Sequence, residues 1–182
     1  MIFSNSRSSD LLKRRNLVLF NIVDADSAKE IITQALFLAS KSSEPITLNI
    51  CSNGGEVPAG LAIVDALHAT GCTIKTLCLG QACSMAAVLL AAGTKGERYI
   101  SKHSRVLLHP VSGGCYGAAP DLQRQCQELQ RSNELLAELL AEFTGKPVDQ
   151  IKADIERDFW LGAVQAVKYG VADHILQEEE IV

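Results

Sequence analysis

Between Leu17 and Ala92 the chain switches repeatedly between short apolar runs and runs of helical spacing. Leu17-Val18-Leu19-Phe20-Asn21-Ile22-Val23 has the composition of a strand. Ile31, Ile32, Ala35, Leu36 and Leu38 then fall on one helical face, with Ser27 and Glu30 at capping-box spacing ahead of them and Ser42-Ser43 behind. Pro45 opens a second strand, the alternating Ile46-Thr47-Leu48-Asn49-Ile50. The turn signal Ser52-Asn53-Gly54-Gly55 follows, then a helix over 58–69, a strand over 73–79 and a small-residue helix over 85–92. A chain patterned this way is committed to an α/β fold, because strands separated by helices lie parallel and are joined by right-handed crossovers.

The second half is less regular. Tyr99-Ile100 and Val106-Leu107-Leu108 are short strands. Residues 121–143 form a long amphipathic helix, with Leu122, Leu129, Leu136, Leu139, Leu140 and Phe143 among its apolar positions, stopped by Thr144-Gly145-Lys146-Pro147. A short helix passes through Ile151 and Ile155, another covers 163–169 and ends at Gly170, and 171–176 is extended. With no internal repeat, low-complexity stretch or linker, residues 1–182 are expected to form one domain.

Composition narrows the classes of function. A net charge of −4 without a basic stripe argues against nucleic acid as the main partner. No apolar run reaches the length of a membrane span, and Met1-Ile2-Phe3-Ser4-Asn5-Ser6-Arg7 lacks the apolar core of a secretory signal. Cys51, Cys72, Cys78, Cys83, Cys115 and Cys126 show no C-x-x-C pairing and mostly lie in apolar surroundings, which favours reduced thiols in a cytoplasmic protein over disulfides or a metal site.

Chemistry concentrates at Gly80-Gln81-Ala82-Cys83-Ser84-Met85-Ala86-Ala87, where a strand turns into a helix. A hydroxyl at such a junction is held beside free backbone N–H groups, which suits a nucleophile and its oxyanion. On this phrase alone the simpler reading of Ser84 is an N-cap. Cys83 is a rival nucleophile. Gly54-Gly55, directly after a strand, allows close approach of backbone to a ligand or is a plain turn; no phosphate-loop pattern follows it. Of the four histidines, His68 sits among alanines on a helix, His103 follows Ser101-Lys102 in a polar turn, and His109 ends a strand before Pro110. His174 is next to Asp173, and neighbours on a strand point to opposite faces. The carboxyl end of a strand in a parallel sheet is where ligands bind, which favours His109. Asp173, in the apolar setting Gly170-Val171-Ala172-Asp173-His174-Ile175-Leu176, stands out only weakly from an ordinary turn acid.

Four of these segments, in order and spacing, resemble the ClpP family, the proteolytic subunit of the Clp protease. Gly80-Gln81-Ala82-Cys83-Ser84-Met85 is similar to its nucleophile segment, Ser104-Arg105-Val106-Leu107-Leu108-His109-Pro110 to its histidine segment, Tyr169-Gly170-Val171-Ala172-Asp173 to its aspartate segment, and Ser52-Asn53-Gly54-Gly55 to its glycine turn. Leu11-Leu12-Lys13-Arg14-Arg15 resembles the start of its globular part, so the likeness spans about 9–176 and leaves 1–8 as a short N-terminal segment.

The resemblance implies a crotonase-type ββα spiral with a projecting handle at about 110–145. It implies peptide hydrolysis through an acyl-enzyme on Ser84, with His109 as general base and acid, Asp173 orienting His109, and the N–H groups of Gly55 and Met85 as the oxyanion hole, without metal or cofactor. It also implies two stacked seven-membered rings, of one chain type or two, linked across the equator through Glu156-Arg157. Peptides or unfolded proteins would be the substrates, a Clp-type ATPase the partner, and the cytoplasm or an organelle stroma or matrix the location.

The chain departs from the family at Asn53, where proline is usual, and between His109 and Pro110, where a glutamine is missing. Thr47 and Asn49 stand where aromatics usually help receive ATPase loops, so docking of a standard Clp-type ATPase is expected to be weak. The alternatives are a structural subunit of a mixed ring, a crotonase-type enzyme acting on acyl-thioesters, and a Ser–Lys peptidase using Lys95 or Lys102. Ser84, His109 and Asp173 together argue against the first two.

Overall fold

A computed structural model describes residues 10–114 and 116–177. The N-terminal segment 1–8 and the thiol of Cys115 lie outside the described residues. The elements are β1 (Asn16–Leu19), α1 (Ala25–Ala39), β2 (Ile46–Ser52), α2 (Val57–Ala69), β3 (Ile74–Cys83), α3 (Met85–Ala91), β4 (Arg98–Ile100), β5 (Arg105–Leu108), α4 (Ala119–Thr144), α5 (Val148–Asp154), β6 (Phe159–Gly162), α6 (Ala163–Tyr169) and β7 (His174–Ile175).

The alternation at the start of the chain becomes a sheet in the order β1-β2-β3-β4-β7, in which every neighbouring pair is parallel. This is a mixed α/β architecture on a mostly parallel sheet. Ile46, Leu48 and Ile50 of β2 point into a core shared with Leu17, Ile63, Leu89 and Leu90, while Thr47, Asn49 and Cys51 face the other, half-exposed side. Helix α1 starts at the helix-start residues 24–27: Asp24 is the cap, its carboxylate accepts from the Ser27 N–H, and the Ser27 hydroxyl accepts from the Asp24 N–H.

Two features of β3 differ from the sequence reading. The strand runs past Leu79 to Cys83, and it bulges: Ile50 and Ser52 of β2 face Cys78 and Ala82. Gly80 sits in the bulge at φ +86°, where a side chain would be strained. Its N–H is held by the Ser104 hydroxyl at 2.7 Å. Before the bulge β3 pairs with β4; beyond it the strand swings over to β5, with Cys83 opposite Leu107. The other difference is β6, a strand absent from the sequence reading, which runs antiparallel to β5 and pairs Leu108 with Phe159.

Helix α4 is the candidate handle. Leu136, Ala137 and Leu140 anchor its C-terminal part in the core, and most of its N-terminal half is exposed. Gly145 ends it in the left-handed conformation.

Candidate active site

The strand-to-helix turn places Ser84 in an unusual backbone state, φ 56° and ψ −127°. Such a conformation is unfavourable for a residue with a Cβ and persists only where the surroundings impose it. They do so here. The Ser84 N–H donates to the Leu107 carbonyl at 2.8 Å, and its own carbonyl accepts from Ala87 at 2.9 Å. The Ser84 hydroxyl makes no capping hydrogen bond, so the simple N-cap reading fails.

Gly54 and Gly55 pack against this turn and against β1. A Cβ on Gly54 would lie 2.5 Å from the Cys83 carbonyl oxygen and 2.7 Å from the Ser84 Cβ, and one on Gly55 would lie 2.2 Å from the Val23 carbonyl oxygen. Both positions therefore need glycine for space. The Gly54 N–H is satisfied by the Ser52 hydroxyl, whereas the N–H groups of Gly55 and Met85 have no hydrogen-bond partner among the described residues. Met85 is locked in turn by α2: a Cβ on Gly60 would lie 2.2 Å from the Met85 Cγ.

Ser84, His109 and Gly55 all line one cavity of about 530 Å³. Its walls are largely apolar, with Val57, Val88, Leu136, Leu140 and Ile155 among them. His109 is half-buried at the end of β5, and among the described residues no hydrogen bond joins it to Ser84.

The other candidates lie elsewhere. The His68 ring bonds the Ala92 carbonyl, His103 is exposed, and the His174 ring bonds the Gly96 carbonyl beside Tyr99. Lys95 and Lys102 are exposed and outside the cavity. Burial pushes the thiol of Cys83 above its ordinary range and that of Cys78 up to about 12, so neither is a ready nucleophile.

Asp173 is a correction. It does not meet His109. Its two carboxylate oxygens take the guanidinium of Arg98 at 2.6 and 2.8 Å, and one of them also accepts the Gly96 and Arg98 N–H groups. Arg98 lies opposite Thr76, whereas the nucleophile turn follows Cys83. That separation along β3 is roughly 20 Å. Burial pushes the Asp173 carboxyl upward, but the Arg98 hydrogen bonds and charge outweigh it and hold it below the ordinary value. The same guanidinium donates to the carbonyls of Ala91 and Phe143, so the pair pins the ends of α3 and α4 to the sheet.

The β5–β6 pairing brings another carboxylate next in register. Extending the β5–β6 register one step beyond Leu108 and Phe159 sets His109 opposite Asp158. Opposed residues of an antiparallel pair have Cα atoms about 4.5–5.5 Å apart and side chains on one face. Asp158 is exposed and has no hydrogen-bond or ion-pair partner among the described residues. The preceding residues Glu156 and Arg157 are exposed as well and do not pair with each other. The sequence signal that would have exposed Asp158 is the Phe159-Trp160-Leu161-Gly162 strand, which is too short to show a period.

A protein-family model described as Clp protease matches residues 3–179. The chain belongs to the Clp protease family. It is 44% identical over 169 residues to an "ATP-dependent Clp protease proteolytic subunit 2" of Chlamydia muridarum, an alignment covering 92% of this chain and 83% of the relative. A "proteolytic subunit 1" of Chlamydia felis is also 44% identical over 169 residues, with the same coverage of both chains, and a "proteolytic subunit 2" of Chlamydia pneumoniae is 43% identical over 169 residues, again covering 92% of this chain and 83% of the relative.

Proposed function

We propose that this Clp-family chain is a serine endopeptidase. The observation that carries the reading is the strained, uncapped Ser84 in one cavity with His109 and beside the unpaired N–H groups of Gly55 and Met85. In the reaction the Ser84 hydroxyl attacks the scissile carbonyl and passes its proton to His109. Gly55 and Met85 donate to the oxyanion, His109 returns the proton to the leaving amine, and water then hydrolyses the acyl-enzyme by the same route. Asp158, rather than Asp173, orients His109 and stabilises it when protonated. The apolar walls suit an apolar side chain beside the scissile bond.

The assembly is proposed as two stacked seven-membered rings, of one chain type or two, with exposed Glu156 and Arg157 making contacts between subunits. Short peptides and unfolded chains reach sites inside such a chamber, whereas folded proteins do not. The location is proposed as the cytoplasm or an equivalent compartment; no described helix is long and apolar enough to cross a membrane.

The test is labelling with a fluorophosphonate followed by a native mass measurement. A label on Ser84 in a fourteen-chain particle is expected. An unlabelled chain at neutral pH counts against the peptidase reading. His109→Ala should abolish both labelling and peptide hydrolysis, because it removes the base that accepts the serine proton. His68→Ala, His103→Ala and His174→Ala should keep most of the native rate.

A Clp-type ATPase is the proposed partner, bound weakly. Val18, Asn49, Leu77, Tyr99 and His174 form one row across the half-exposed sheet face. Asn49 interrupts it, its amide donating to Asn16 Oδ1 at 3.0 Å and to the Leu17 carbonyl at 3.1 Å. Restoring aromatic surface with Thr47→Tyr and Asn49→Tyr should strengthen ATPase binding by about tenfold or more, as an added aromatic anchor does. A pull-down in which the native chain already binds as tightly as the variant would count against it.

A further inference from the structure

After His109 the chain leaves the sheet and runs along α4. Pro110 has no N–H, so Val111 carries the first amide after the histidine. That amide donates to Asn133 Oδ1 at 2.6 Å. Asn133 belongs to the α4 face that lines the cavity, with Leu129, Ser132, Leu136 and Leu140 at helical spacing. With Ser132 it is polar in an otherwise apolar stripe, and a half-buried amide among apolar neighbours is costly unless paired. The backbone N–H groups of Ser112, Gly113 and Gly114, just beyond, have no hydrogen-bond partner among the described residues. One side chain therefore ties the only anchored amide of this stretch to the rigid, core-packed part of α4.

We propose that Asn133 is a positioning residue for substrate. By holding Val111 it keeps the 111–114 edge at a constant separation from the Gly55 turn, so that an extended peptide fits between them. The effect on kinetics rests on the peptidase reading above; the clamp itself does not. Asn133 touches no reacting atom, so its loss should weaken peptide binding more than it slows the chemistry.

Asn133→Leu keeps the branching and number of side-chain heavy atoms and removes the acceptor, whereas Asn133→Asp keeps both shape and acceptor. With the full chain and a fluorogenic peptide of six or more residues, Asn133→Leu should raise KM about five- to tenfold, the weight of one such hydrogen bond. Its kcat and its fluorophosphonate labelling rate should stay within about twofold of native, because neither step needs the full peptide cleft. Asn133→Asp should recover most of the affinity. Hydrogen exchange supplies a readout that needs no activity. In the native chain the Val111 amide should exchange more slowly than those of Ser112 and Gly113, with protection lost in Asn133→Leu and kept in Asn133→Asp. Rapid exchange of Val111 in the native chain, or equal loss of kcat, labelling and affinity in both variants, would overturn the proposal. A native chain that neither labels nor cleaves would sink the peptidase reading, and exchange at Val111 would then decide the clamp by itself.

Discussion

Ser84→Ala should abolish peptide hydrolysis and fluorophosphonate labelling, with kcat falling by on the order of 10⁶, the scale on which loss of a triad nucleophile is felt. Assembly and thermal stability should be unchanged or slightly improved. The hydroxyl caps nothing, so its removal leaves no structural hydrogen bond broken, and alanine keeps the Cβ that the turn already accommodates at φ 56°. A conventional N-cap serine would behave in the opposite way, losing about 1 kcal/mol of stability and no activity. The comparison of rate with unfolding temperature therefore separates the two readings of this residue in a single variant. Retained hydrolysis in Ser84→Ala, together with loss in Cys83→Ala, would transfer the chemistry to the neighbouring thiol. The buried position of Cys83 and its raised pKa argue for the reverse outcome.

The second large effect is a contrast between two aspartates. Asp158→Ala should lower kcat by about 10⁴, as losing the carboxylate that orients a catalytic histidine does, and leave stability nearly unchanged. Asp158 is exposed, and no buried charge among the described residues depends on it for its ion pair. Asp173→Ala should do the converse. Arg98 has only 3% of its side chain exposed, and removing its partner strands a buried guanidinium. A loss of about 3–5 kcal/mol is expected, which for a chain of this size lowers the unfolding temperature by roughly 6–20 °C.

Because the folded Asp173 carboxyl lies below its ordinary value, its contribution is present above the unfolded-state value and disappears as pH falls through the folded one. The native chain should thus lose the advantage over Asp173→Asn only in acid, below the ordinary carboxylate range. Thermal unfolding against pH and steady-state hydrolysis of a short peptide, measured on both variants, check all of this. An inactive but fully stable Asp173→Ala, beside an active Asp158→Ala, would reinstate Asp173 as the partner of His109.

The two aspartates also show how far local sequence reaches. The parallel sheet, its crossover helices and the long α4 are legible because each is long enough to repeat its period, 2 for strands and 3.6 for helices. Ser84 and the glycine turn are legible because a strand-to-helix junction with small residues is a local event. His109 is legible because it ends a strand just before a proline that breaks it. In all these cases the physical cause lies within a few residues of the effect.

The residue opposite His109 has no such cause. It is set by the pairing of β5 with β6, segments about fifty residues apart in the chain, and β6 has only Leu161 buried among its four residues. Asp173 draws attention because it stands in an apolar run. Yet that run is buried to serve Arg98, a residue whose role is invisible until β4 and β7 lie side by side. The same holds for the bulge at Gly80, which moves β3 from β4 to β5 and so brings Ser84 to His109. The sequence alone determined the class of fold, and through local periodicity and local sterics it marked the turn at Ser84 and the strand end at His109 as the proposed nucleophile and base. Only the tertiary structure decided which carboxylate falls opposite that histidine in the strand register and which pairs with Arg98, because long-range strand register, not residue type, sets which side chains face one another.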